Sequence, residues 1–300
     1  MMADIALYGT HRNKLGESPV WDLRTDRLYW IDSVSKQIFA GDEQGSVLQS
    51  WDAPTTVGSV ALCDDGLLVA LQDGFFLLET ANGALHEICR PERGNEKVRF
   101  NDGKADRQGR FLSGTMRHGD VEGSPGKLYR LERREAVEID SGIMLANSLC
   151  FSPDGSVMYF ADSLQGCIWA YDYTADGPIA ATRRTLIETA PHGSAPDGAT
   201  VDAEGFLWVA FVQSDEIVRI SPDGMIVEKI ASPVPYPSCP AFGGEAMNTL
   251  FVTSLWDTGG MFRTDHKDGG RMLAITGLAC GGIPEAVCPN PLQEGTHNES

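Results

Sequence analysis

The stretch Asn147–Ser163, "NSLCFSPDGSVMYFADS", holds a complete structural unit: a largely apolar run, the turn "SPDG" and a second, alternating run. Short runs of this kind bounded by proline, acid and glycine read as strands joined by a hairpin. The unit recurs in both directions along the chain. Its second strand returns as "LYWIDS" from Leu28, "LLVAL" from Leu67, "FLSGT" from Phe111, "LWVAF" from Leu207 and "LFVTS" from Leu250. Together with "VMYFADS" from Val157, these markers follow one another at intervals of 39 to 50 residues. The preceding turn returns as "CDDG", "DRQG", "DAEG" and a degenerate "GGEA".

That period matches the blade of a β-propeller. Further turn signals in each unit, such as "DEQG", "TADG" and "HKDGG", place two more strands outside the first pair. The reading is therefore an all-β, six-bladed β-propeller with four antiparallel strands per blade. It forms a single domain over residues 1–285, followed by a polar, disordered tail over 286–300. The early strand "IALYG" is expected to complete the last blade beside "MLAITG". No segment sustains a 3.6-residue apolar period, so helix should be scarce.

Composition narrows the partners. The 300 residues carry 42 acidic and 24 basic side chains, a net charge of −18. Such a chain repels a phosphate backbone and has no basic stripe for nucleic acid or an anionic membrane. The N-terminal segment lacks the basic start and apolar core of a signal peptide, and no apolar run is long enough to span a bilayer, so a cytoplasmic location is expected. Seven widely spaced cysteines without a C-x-x-C pair indicate neither a disulfide framework nor a zinc–thiolate site. Oligomeric state is not encoded in any motif.

In a propeller the innermost strands start around one mouth of the central channel. About ten residues before each second strand lie Glu17, Val57 or Gly58, Asn101, Asn147, Asp197, and Ser238 or Cys239. Four of these six positions are carboxylates or carboxamides, which are costly to bury unless paired, so a cation, water or ligand is expected among them. Glu17, Asn147 and Asp197 form an oxygen-only set with two negative charges, suited to one divalent metal cation: calcium first, with manganese, magnesium or zinc as alternatives. Asn101 adds an oxygen nearby. Arg99, two residues earlier, is placed to hold substrate oxygens. Asp102 and Lys104 are attributed to local turn and blade packing. The loop "MRHGDVEGSPG" (116–126) is the longest on this rim and brings His118, Asp120 and Glu122 toward the mouth, while Trp256 and Asp257 are expected to wall it from blade 6.

The motifs "LGESPVW", "RFNDGKADRQGRFLSGTM", "NSLCFSPDGSVMYFADS" and "PDGATVDAEGFLWVA" closely resemble the SMP-30/gluconolactonase/luciferin-regenerating-enzyme family over residues 15–280 or so. The resemblance implies a six-bladed propeller with one metal in its channel that opens small-molecule sugar lactones. It carries the metal ligands onto Glu17, Asn147 and Asp197 and the substrate contacts onto Arg99 and Asn101. The family's acidic substrate contact falls on Gly119, so Asp120 beside it is the expected substitute, with His118 as a neighbouring contact.

The expected chemistry is polarisation of the lactone carbonyl by the metal, with Asp197 as general base toward the attacking water. A metal-dependent esterase or phosphotriesterase-like hydrolase is the rival enzyme reading, and a calcium-binding, non-enzymatic propeller the rival non-enzyme reading. The G-x-S-x-G, H-E-x-x-H and P-loop motifs are all missing.

Overall fold

The computed structural model describes residues 3–119, 122–123, 125–178 and 180–293. Six antiparallel sheets follow one another along the chain as the blades of a ring. Blades 1 to 6 begin with the inner strands Gly16–Asp22, Val57–Cys63, Val98–Ala105, Ala146–Phe151, Pro196–Val201 and Pro237–Gly243. In blades 1, 2, 3 and 5 the later strands are added outward in sequence order. Blade 4 departs from the uniform four-strand pattern: besides its fourth strand, Arg184–Glu188, a short segment Gly177–Pro178 pairs with Tyr173–Thr174. Helix among the described residues is confined to the 3-10 turns Ala180–Thr182 and Ala190–His192.

Closure follows the expectation from sequence. Asp4–Tyr8 pairs antiparallel with Met272–Thr276, from Asp4 opposite Thr276 to Tyr8 opposite Met272, so the first strand of the chain becomes the outer strand of the last blade. The ring is thereby closed by a sheet ladder, and Met272–Thr276 is covered on its outer side.

The repeated turns form because their first acid satisfies the backbone that follows it. In "DRQG" the Asp106 carboxylate accepts the amides of Gln108 and Arg110, each at 2.9 Å, and in "DAEG" Asp202 accepts those of Glu204 and Phe206, each at 3.0 Å. The glycines that complete these turns, Gly109 and Gly205, have φ of 79° and 87°, where a side chain would be strained.

Blades adhere through aromatic side chains between sheets. Trp21 of blade 1 stacks on Phe251 of blade 6 with centroids 5.7 Å apart, Trp208 of blade 5 meets Phe242 of blade 6 edge-on at 6.3 Å, and Phe75 of blade 2 meets Phe100 of blade 3 at 4.9 Å. Trp30 and Trp208 are buried, and their ring nitrogens donate to Asn13 Oδ1 and Asp202 Oδ2. They are packing residues, and truncating one such ring to alanine typically costs about 3–5 kcal/mol. All seven cysteines are free thiols, and six of them are buried.

Residues 281–293 correct the expectation of a loose tail beginning at 286. This segment crosses the end of the channel remote from the mouth, bonding blade by blade. Gly282 N donates to Met247 O at 2.7 Å, Ala203 N to Gly281 O at 2.8 Å, and Cys288 N to Leu62 O at 2.8 Å. Glu285 meets both Lys104 Nζ and Arg107 NH1 at 3.4 Å. The segment holds because Cys288 is a buried apolar anchor and Glu285 answers two cations, features that overall polarity conceals. Residues 294–300 lie outside the described residues.

Candidate active site at the channel mouth

Each strand that carries a candidate ligand breaks its ladder close to that residue. The register shifts between Glu17 and Val20 in blade 1, between Asn147 and Cys150 in blade 4, and between Pro196 and Ala199 in blade 5; blade 3 shifts between Phe100 and Gly103, around Asn101. A bulge of this kind turns a side chain away from the sheet face. Ser18 and Ser148, immediately after Glu17 and Asn147, sit in the left-handed region with φ of 50° and 52°. Non-glycine residues rarely adopt that conformation, and the surrounding bonds hold them there.

The approach to each candidate ligand is clamped by a side chain at the end of the second strand or just after it. Asp32 accepts the amides of Lys14 and Leu15 at 2.8 and 3.2 Å, ahead of Glu17. Asp162 accepts those of Met144 and Leu145 at 2.8 and 3.1 Å, ahead of Asn147. Gln213 accepts the amide of Ala195 at 2.9 Å, ahead of Asp197. Small hydroxyls then tie inner strands across blades: Ser238 Oγ donates to Gly16 O, Ser18 Oγ accepts Val60 N at 2.9 Å, and Ser148 Oγ donates to Asp197 O. Between blades 5 and 6 the backbones approach so closely that a Cβ on Gly198 would lie 2.3 Å from Cys239 Sγ.

Within this frame the expected residues meet. Arg99 NH1 donates to Asn101 Oδ1 at 3.0 Å, and Asn101 Nδ2 donates to Asn147 Oδ1 at 3.0 Å and to Ala146 O at 2.9 Å. Asn147 Nδ2 donates to Ser163 Oγ at 2.8 Å. Burial pushes the Glu17 carboxyl well above its usual range, helped by the charges of Asp197 and Asp102. Asp197 rises to about 8, through burial first and Asp102 second, against a hydrogen bond from Asn147. Burial also lowers Arg99 to about 10, with Glu17 opposing. Two carboxylates that resist ionisation together, plus one amide oxygen, fit a hard divalent cation, whose charge would remove the penalty on both. Among the described residues no three His, Cys, Asp or Glu side chains gather as a metal group.

The remaining candidates fare differently. Blade 2 offers no ligand, since a Cβ on Gly58 would lie 2.6 Å from Asn101 O. Ser238 is consumed by its bonds to Gly16 O and Thr253 Oγ1. His118 is on the rim, its amide bonded to Lys97 O at 2.7 Å, but its side chain is exposed and makes no bond with the described residues. Asp120 lies outside the described residues. Trp256 carries the Arg12 guanidinium at 5.3 Å from its ring centre, and Asp257 accepts Gly259 N, so both are engaged in local rim structure.

Asp102 and Lys104 serve the packing between blades. Asp102 Oδ2 accepts Leu149 N of blade 4 at 2.9 Å, and Lys104 Nζ reaches Ala199 O of blade 5 at 3.0 Å. Both run along the channel below the mouth. Sequence reasoning missed Asp32, Asp162, Gln213 and Ser163. The signal was present for most of them, in the "DS" that closes both "LYWIDS" and "VMYFADS".

Fold and site together define a six-bladed propeller with an oxygen-lined acidic centre at one mouth. The chain belongs to the family described as "SMP-30/Gluconolactonase/LRE-like region", whose model matches residues 15–255. It is 36% identical to the 6-deoxy-6-sulfogluconolactonase of Pseudomonas putida over 80% of this chain and 83% of that one. It is 38% identical to the L-arabinolactonase of Azospirillum brasilense over 81% of each. Among solved structures, a calcium-binding protein, regucalcin, from Agrobacterium tumefaciens superposes with a TM-score of 0.85 at 26% identity, covering 92% of this chain and 94% of that one. No helix among the described residues is long and apolar enough to cross a membrane.

Proposed function

We propose that this protein is a lactonase that opens a sugar lactone to its sugar acid at the channel mouth, with one divalent cation held by Glu17, Asn147 and Asp197. The carrying observation is the convergence of two carboxylates and an oriented amide oxygen from blades 1, 4 and 5 beside the Arg99–Asn101 pair. The lactonases among the relatives support the reaction class, and the calcium-binding relative supports the cation.

The cation, when bound, supplies Lewis-acid polarisation of the lactone carbonyl. Asp197 accepts a proton from the water whose oxygen attacks the carbonyl carbon, and returns a proton to the ring oxygen as the C–O bond breaks. Arg99 offers its remaining donors to substrate oxygens, and Asn101 keeps a lone pair on Oδ1 for a ring hydroxyl. These two groups act by positioning.

An assay across aldonolactones, with and without chelator and with calcium, manganese, magnesium or zinc restored, tests the proposal. Turnover lost to chelator and recovered with a cation is expected. Cation binding without turnover of any lactone would favour a binding propeller, and turnover of phosphotriesters or open-chain esters in place of lactones would favour the rival hydrolase.

A further inference from the structure

The Asn147 amide is held from two sides, by Asn101 within the candidate centre and by Ser163 beyond it. Ser163 has one proton, and its Oγ donates it to Pro196 O at 2.5 Å. Only lone pairs remain to face Asn147, so Nδ2 must point toward Ser163, at 2.8 Å. On the other side, Asn101 Nδ2 points its proton at Asn147 Oδ1. A flipped amide would set oxygen against the Ser163 lone pairs and place two NH2 groups face to face. Ser163 is itself fixed, with its amide bonded to Leu145 O at 3.0 Å and its side chain buried. The same hydroxyl therefore sets the direction of one ligand and holds the carbonyl of the residue preceding another, Asp197.

We infer that Ser163 is a positioning residue for the cation site: by accepting Asn147 Nδ2–H and donating to Pro196 O, it aims the Asn147 oxygen at the cation and registers blade 4 against blade 5. The inference rests on the cation reading above. Partners of this kind, one step removed from a metal, typically contribute 10- to 100-fold in affinity.

The test is calorimetric titration of the whole chelator-stripped protein with calcium and with manganese. Ser163→Ala is expected to weaken binding by about 10- to 100-fold. Ser152→Ala removes a comparable buried hydroxyl bond, from Val157 N at 2.9 Å, in the turn at the opposite end of the blade 4 inner strand and is expected to leave affinity unchanged. Ser163→Cys keeps the shape with a weak acceptor and should lose affinity in the same direction, which preserves the test if Ser163→Ala does not fold. A double-mutant cycle separates aim from stability. In an Asn147→Asp background the two carboxylate oxygens are equivalent, so Ser163→Ala should then cost under about 3-fold. Unchanged affinity in Ser163→Ala, or an equal loss in both backgrounds, would overturn the inference alone. Failure of the wild-type protein to bind either cation would overturn the cation reading and this inference with it.

Discussion

Asn101 and Asn147, on the inner strands of adjacent blades, are joined by a hydrogen bond of 3.0 Å from Nδ2 of the first to Oδ1 of the second. Its direction is set by Arg99, which has only donors and therefore turns the Asn101 oxygen toward itself. From there every bond points the same way: Arg99 to Asn101, Asn101 to Asn147, Asn147 to Ser163, Ser163 to Pro196 O. The chain is thus anchored at both ends, by a guanidinium in blade 3 and by the Ser163 hydroxyl bonded to a carbonyl next to Asp197 in blade 5. Aligned chains of this kind strengthen one another.

Beside its bond to Asn101, Arg99 has the proposed role on substrate, and the two are separable. Arg99→Ala should raise KM and lower kcat/KM by about 100-fold, by releasing a positioned substrate. Arg99→Lys should recover only part of this, because an ammonium lacks the planar fork that engages two acceptors. Steady-state kinetics on the best aldonolactone decide it. A loss of cation affinity exceeding the loss of kcat/KM would mean that Arg99 works through the asparagine relay and not on substrate.

The ligation and proton transfer proposed for Asp197 are separable as well. Asp197→Asn keeps an oxygen for the cation but removes the base, so cation binding should survive within about 10-fold while kcat falls by roughly 100- to 10,000-fold. Asp197→Ala should abolish both. Titration calorimetry beside kinetics on the two variants checks the pair, and full turnover by Asp197→Asn would remove the base assignment.

The fold was legible because propeller periodicity resides in local signals: alternating strands and acid–glycine turns whose side chains bond their own backbone, as Asp106 and Asp202 do. The convergence of Asn101 and Asn147 was legible because polar residues stood where strand starts are otherwise apolar. What stayed hidden depends on contacts between blades. Asp102 bonds Leu149 N, 47 residues away, and Glu285 meets Lys104 across 181 residues. Nothing near Asp102 in the chain announces such a partner, and the polarity of the C-terminal segment reads as solvation until Cys288 is seen buried beside Cys63.

The raised carboxyl groups make stability depend on pH with a definite sign. Asp197 rises from 3.8 to about 8, and Glu17 shifts in the same direction. The folded, cation-free protein therefore holds protons that the unfolded chain has released, and stability present below the ordinary carboxylate range is lost as pH rises toward 8. In chelator, Tm should fall from pH 6 to 8, where ordinary carboxylates are already ionised. Added cation should restore Tm increasingly over the same range, because it binds the ionised pair. Differential scanning calorimetry of wild type and Asp197→Asn checks this, and an equally steep decline in Asp197→Asn would assign the effect elsewhere.

The far end of the channel provides a stability test independent of the site. Glu285 is the carboxylate that Lys104 and Arg107 share, and all three side chains are largely withdrawn from solvent, at 12%, 11% and 15% exposure. Removing one member of such a buried set leaves cationic charge without its counterion, which typically costs about 3–5 kcal/mol. Lys104 keeps its bond to Ala199 O and Arg107 its bonds to Phe151 O and Ser152 O, so the lower end of that range is expected for Glu285→Ala. The damage should remain at the channel floor, because the mouth is held by its own clamps from Asp32, Asp162 and Gln213. Urea denaturation should therefore show a loss of about 3 kcal/mol while cation affinity stays within about 3-fold of wild type. A matching collapse of cation affinity would mean that the two ends of the channel are coupled through Asp102 and Lys104.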